Sequence, residues 1–205
     1  MQKIITGIQQ VGIGVTNANE AWEWYSKYFG MDVVIFNDAA PAPLMTRYTG
    51  GEVHHRYAVL AVNMQSGGGF EIWEYKSRKA QASKFEINFG DTGIQVIKIK
   101  CRDIKAAYDW YQKENLNLKS EITNDPQGKP NFYLEDPYGN KFQLVEDDYW
   151  FMNTGHLCGG IAGVIIAVSS MQRSMNFYTN ILNTKNMVYD VQNTFEEWKS
   201  FAGGV

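Results

Sequence analysis

The chain has two cysteines, three histidines and no apolar run approaching the ~20 residues that cross a bilayer as a helix. Cys101 and Cys158 are too few for a disulfide framework, which points to a reducing interior. Lysine and arginine total 19 against 22 aspartates and glutamates, a formal net charge of -3. That balance leaves no basic footprint for nucleic acid and no polybasic patch for a membrane surface. The stretch Met1-Gln2-Lys3-Ile4-Ile5-Thr6-Gly7 lacks the apolar core of a secretory signal, so the expected location is cytoplasmic. What is present is ordinary for a globular protein: 205 residues, 44% hydrophobic and 20% charged, enough for a sizeable core.

One short phrase is written twice, Phe70-Glu71-Ile72-Trp73-Glu74 and Phe142-Gln143-Leu144-Val145-Glu146. Each copy closes a segment that opens with a strand and a helix bearing an aromatic pair, Trp24-Tyr25 and Trp110-Tyr111, and a repeat on this scale constrains the fold. In the first segment Val11, Ile13 and Val15 alternate with Gln10, Gly12 and Gly14, as a strand requires. Asn17 stands three residues before Glu20 in a capping-box spacing, and Gly30 supplies the helix stop. Strands are expected over 31–36, 56–63 and 69–75, with a long Ala-Pro loop from Ala39 through Gly51. The unit reads βαβββ.

The second segment repeats the order. Ile97, Ile99 and Cys101 form the apolar face of its first strand, with Val96, Lys98 and Lys100 opposite. Asp103 is placed to cap a helix, and 132–134 and 141–145 form a hairpin around Asp136-Pro137-Tyr138-Gly139-Asn140. A third opening follows in Val164, Ile166 and Val168, a cap at Ser169 or Ser170, the pair Phe177-Tyr178 and a strand over 187–191. The expected organisation is therefore one domain at 1–148 made of two units (about 4–77 and 92–148), a linker at 149–160 and a partial third unit at 161–205. A unit lacking its final hairpin suggests the front part of a longer protein.

The repeated units, the helix-borne aromatic pairs and the Asp136–Asn140 hairpin resemble the vicinal oxygen chelate superfamily, which includes glyoxalase I, bleomycin-resistance proteins, methylmalonyl-CoA epimerase and extradiol dioxygenases. The likeness covers residues 4–148 and, in part, 161–191. It implies an α+β fold in which paired βαβββ units form a curved, incomplete mixed-sheet barrel with helices on the outer face. It also implies metal ligands projecting inward from the first and last strands of each unit, at positions matched here by Gln10, Val96, Glu71 and Gln143. Iron, nickel, zinc or manganese at such a site is normally held by histidine and carboxylate. Glu71 is the one carboxylate, Gln10 and Gln143 are neutral amides, Val96 donates nothing, and Gly163 occupies the third unit's position. The expectation is no conventional metal site and no other cofactor, with Glu71, Gln10 and Gln143 as the ligands if a divalent metal is present.

Glu71 is the candidate catalytic residue, and Gln10, Gln143, Lys98, Trp73 and Tyr75 are the candidate ligand-binding residues. Each has a plain alternative. Glu71 is equally a carboxylate held by Gln10 or Gln143, or a general base tuned by Lys98. Lys98 and Lys100 form an anion-binding floor or merely reach water. Trp73 and Tyr75 wall an aromatic ligand or fill the sheet. His54 and His55 face opposite sides of a strand, His156 with Cys158 lacks a second metal pair, the Ala39–Gly51 loop suits a lid, and Gly67-Gly68-Gly69 a turn. Three readings of function stand side by side. The first is a bleomycin-resistance-like protein binding a small organic ligand in the concave sheet. The second is a metal-dependent lyase, isomerase or dioxygenase using Glu71, and the third a non-catalytic N-terminal half of a longer protein. A homodimer is a further expectation, since open sheet edges invite pairing.

Overall fold

The computed structural model describes residues 4–81, 83–184 and 186–204; Val205, which ends the expected third unit, lies outside them. The first unit opens with β1 (Gln10–Gly14) and α1 (Ala18–Phe29). The Asn17 side chain accepts from the backbone N–H groups of Asn19 and Glu20, and Gly30 closes the helix at a φ of 64°, a conformation that favours glycine. β2 (Val33–Pro41), β3 (His55–Val62) and β4 (Gly69–Tyr75) complete the unit. β2 runs further than the sequence suggests, because Ala39, Ala40 and Pro41 pair with Tyr57, Arg56 and His55. Pro41 is tolerated because β2 lies at the sheet edge, where a missing N–H leaves no partner unpaired. The expected long loop is thereby reduced to a 3-10 turn at Pro43–Tyr48 and the residues after it.

In the second unit, β5 (Gly93–Cys101) leads to α2 (Ile104–Lys113), capped by the Asp103 carboxylate. Two short pieces, β6 (Asn117–Leu118) and β7 (Thr123–Asn124), precede the hairpin of β8 (Pro130–Glu135) and β9 (Lys141–Glu146). The hairpin turn is held by Asp136, whose Oδ1 accepts from the backbone N–H groups of Tyr138 and Asn140 at 2.8 Å each. The third segment supplies β10 (Cys158–Ala167) and α3 (Met171–Leu182), with Ser170 as the cap. β10 begins at Cys158, inside the stretch read from sequence as linker. Residues 187–191, expected as a strand, form none. Met187, Val188 and Tyr189 instead turn toward Ile166 and Met175, lining with them a cavity of about 380 Å³.

The first sheet has the order β1-β4-β3-β2, with β1 parallel to β4. The second has the order β10-β5-β9-β8-β6, with β7 beside β8 and β10 antiparallel to β5. Neither closes into a barrel. The two units meet through their apolar faces: Phe70 and Ile72 of β4, Phe142 and Leu144 of β9, and residues of α1 and α2 share one core. The rings of Phe70 and Phe142 lie 5.9 Å apart, and Phe29 lies 4.8 Å from Phe142. Burying each such side chain contributes about 1.5–3 kcal/mol, which makes this seam a principal source of stability. The linker is fastened to the turn between β3 and β4, where Gln65 bonds the carbonyls of His156 and Cys158 at 2.9 and 2.7 Å.

Candidate functional site

Strand alternation turns the neighbours of the core residues outward, to two different faces. On the first sheet, Glu71, Trp73 and Tyr75 of β4 share the open face with Gln10 of β1 and Arg56 of β3. On the second, Gln143 of β9 shares the face away from Phe142 with Lys98 of β5 and Tyr133 of β8. Phe70 and Phe142 touch across the core, and Glu71 and Gln143 stand on different sheets. The six candidate residues therefore divide into two groups, one on each sheet.

The first group is tightly knit. Gln10 Nε2 donates to Glu71 Oε2 at 2.5 Å, and the Trp73 indole N–H donates to Glu71 Oε1 at 2.9 Å. Each carboxylate oxygen thus accepts from one neutral donor and keeps further accepting capacity. The Arg56 guanidinium lies 5.5 Å from the Trp73 ring centre and 6.0 Å from that of Phe36, and it pairs with Asp38. Trp73 stands edge-on to Tyr75 at 6.0 Å, and Tyr75 to His54 at 6.2 Å. Beyond Tyr75, the 3-10 turn contributes Met45 and Tyr48 to a cavity of about 510 Å³ that Arg78 and Lys79 also line. Arg56 escaped the reading of the sequence. Its signal was present, because it alternates with Ala58 and Leu60 on the strand beside β4.

The second group is closed over. Val96 and Tyr133 pack with Phe201 of the C-terminal segment, and the Trp198 indole donates to the Tyr133 hydroxyl at 3.1 Å. Gln143 is 4% exposed and donates to Asn131 at 2.8 Å, while its Oε1 has no partner among the described residues. Burial lowers the Lys98 ammonium below the ordinary lysine pKa, and Asp125 partly offsets that effect. Glu71 and Lys98 lie on different sheets. Lys100 instead approaches the Tyr149 ring at 5.4 Å.

The remaining motifs have structural partners. His54 Nδ1 is 3.1 Å from the Ser77 hydroxyl, and His156 Nε2 is 2.8 Å from Asp32, not beside a metal-ligating cysteine. Gly67 and Gly68 turn the chain between β3 and β4 at φ 79° and 82°. The residues present do not fit a divalent ion. Glu71 is the one carboxylate of its group with a neutral amide beside it, Gln143 stands on the other sheet, and no cluster of three histidine, cysteine, aspartate or glutamate side chains occurs among the described residues. No helix among those residues is long and apolar enough to cross a membrane.

The family model of the Glyoxalase/Bleomycin resistance protein/Dioxygenase superfamily matches residues 7–144. No curated protein matches the chain. Among solved structures, a glyoxalase family protein from Bacillus cereus superposes with a TM-score of 0.56 at 14% identity, over 71% of this chain and 96% of that one. A dioxygenase candidate from Bacillus subtilis gives 0.62 at 14% identity, over 88% and 56%. Glyoxalase I from Zea mays gives 0.56 at 16% identity, over 87% and 55%. This chain thus spans little more than half the length of the latter two, and likeness at these identities speaks to the fold alone.

Proposed function

The chain belongs to the Glyoxalase/Bleomycin resistance protein/Dioxygenase superfamily, and from that premise we propose that it binds a small organic ligand on the open face of its first sheet without a conventional metal site. The ligand class is a flat molecule carrying an amine, amide or hydroxyl donor. One observation carries this reading: the Glu71 carboxylate is held by two neutral donors beside a wall of Trp73 and Tyr75. The nearby cation, Arg56, is already paired with Asp38, which leaves the negative charge of Glu71 free to meet a donor on the ligand. The indole and phenol rings offer apolar area and stacking to a planar body. Gln10 and Trp73 act as positioning residues that fix the carboxylate's direction before the ligand arrives, which limits the ordering cost of binding.

The test is a binding screen read by tryptophan fluorescence, with aromatic amines and aromatic carboxylates of matched size as probes. Amines should bind in preference, and Glu71→Gln should weaken them by roughly tenfold or more, the scale of one charge-assisted hydrogen bond. Equal binding of carboxylates, or amine affinity indifferent to Glu71→Gln, would remove Glu71 from the site.

A further inference from the structure

Cys101 and Cys158 sit directly opposite one another where β10 pairs antiparallel with β5. Opposed residues in antiparallel strands have Cα atoms ~4.5–5.5 Å apart, within the span that a disulfide bridges. Both side chains turn into the shared core and are fully buried. The Tyr111 hydroxyl stands 2.9 Å from Cys158 Sγ, and Cys101 Sγ lies 3.3 Å from the Asp103 carbonyl oxygen. These are the chain's two cysteines, so no third thiol of the same chain competes.

We propose that Cys101 and Cys158 form a redox-active dithiol that closes to a disulfide by exchange with a low-molecular-weight disulfide, clamping the third segment to the second unit. The Cys101 thiolate attacks one sulfur of the small disulfide RSSR, forming the mixed disulfide Cys101–S–SR and releasing RS⁻. The Cys158 thiol passes its proton to that thiolate, giving RSH. The Cys158 thiolate then attacks the Cys101 sulfur, forms the Cys101–Cys158 bond and expels the second RS⁻, which takes up the proton first lost by Cys101. Two protein thiols are oxidised, and RSSR is reduced to two RSH.

The order of events follows from the surroundings. The bond from Cys158 favours the Cys101 thiolate and lowers that thiol's pKa, whereas burial raises that of Cys158. Access comes from the edge position of β10, whose ladder is irregular between Cys158 and Ile161 and again between Ile161 and Gly163. An edge strand with a broken ladder opens locally at less cost than the whole domain. Once closed, the disulfide ties that strand to β5.

The test uses the full chain incubated with oxidised glutathione, quenched in acid, alkylated in denaturant and mapped by mass spectrometry. The expected product is an intrachain Cys101–Cys158 peptide pair, with both free thiols lost together. Amide exchange over 163–167 should slow by roughly tenfold or more on oxidation. Cys158→Ala should accumulate the glutathione mixed disulfide at Cys101, and Cys101→Ala should leave Cys158 unmodified. Wild-type chain that still alkylates fully at both cysteines, that cross-links between molecules, or that stops at the mixed disulfide would overturn the proposal. The wild-type peptide map decides even if a variant fails to fold.

Discussion

The Tyr25 hydroxyl donates to Asp136 Oδ2, joining a helix of the first unit to the hairpin turn of the second. The same carboxylate oxygen accepts from Asn140 Nδ2 at 2.8 Å, and Oδ1 holds the turn's backbone. Burial and the neighbouring Asp136 keep the Tyr25 phenol protonated well above the ordinary tyrosine range. Tyr25→Phe removes one donor from a buried acceptor and should cost about 1–3 kcal/mol, read as a lower urea midpoint with an unchanged slope. Because the units share one core, fluorescence and circular dichroism should report a single transition in the wild type. Two separated transitions would count against the shared core.

Alkaline pH offers a second test. Burial raises the phenol pKa values of Tyr111 and Tyr133 as well as Tyr25. A folded pKa above the unfolded value means that the contribution to stability is intact below the ordinary tyrosine pKa of about 10 and is lost as pH rises beyond it. In that window the unfolded chain has shed protons that the folded chain retains. Tyrosinate absorbance for these residues should therefore appear together with loss of ellipticity in one cooperative step. Full ionisation of all tyrosines in a chain that remains folded would refute the burial assignment.

Lys98 gives the opposite sign. Its folded pKa lies below the unfolded one, so between the two values the unfolded chain binds more protons, and stability rises with pH. Lys98→Met should stabilise the chain at neutral pH by on the order of 1 kcal/mol, since it removes a charge disfavoured by burial. That advantage should shrink as pH climbs toward the ordinary lysine value. Denaturant titrations at two pH values measure it, and a constant advantage would contradict the desolvation argument.

Divalent metals should leave the first open face indifferent. Iron(II), nickel, zinc or manganese added to the wild type and to Glu71→Gln should shift the melting temperature equally, because ligand linkage stabilises only a state that binds. A rise in melting temperature confined to the wild type would show that Glu71 ligates a metal.

Much of the fold was legible because each local signal agreed with the next. Asn17, Asp103 and Ser170 cap the helices they were expected to cap, Gly30 ends the first, and the doubled phrase forms β4 and β9. Alternation sorted Glu71 from Phe70 and Gln143 from Phe142 correctly. It could not say which faces of two separate sheets meet, since period two fixes a residue's side of its own sheet and nothing more. The strand expected at 187–191 did not form: Met187, Val188 and Tyr189 line a cavity with Ile166 and Met175 but stay largely exposed, and their backbones join no sheet among the described residues. Alternation with Ala58 and Leu60 put Arg56 on one face of its strand, but that this face is shared with Tyr75, and that Asp38 holds the guanidinium, depends on cross-strand register that local pattern does not reveal.

The back-to-back packing of Phe70 and Phe142 has a consequence for how substitutions combine. Among the described residues Glu71 and Lys98 share no side-chain hydrogen-bond partner, and they stand on different sheets joined by that aromatic seam. Changes at the two should therefore be thermodynamically independent, with the double variant Glu71→Gln, Lys98→Met matching the sum of the singles within roughly 0.5 kcal/mol. The seam fixes the scaffold, and each surface can acquire or lose its own chemistry without consulting the other.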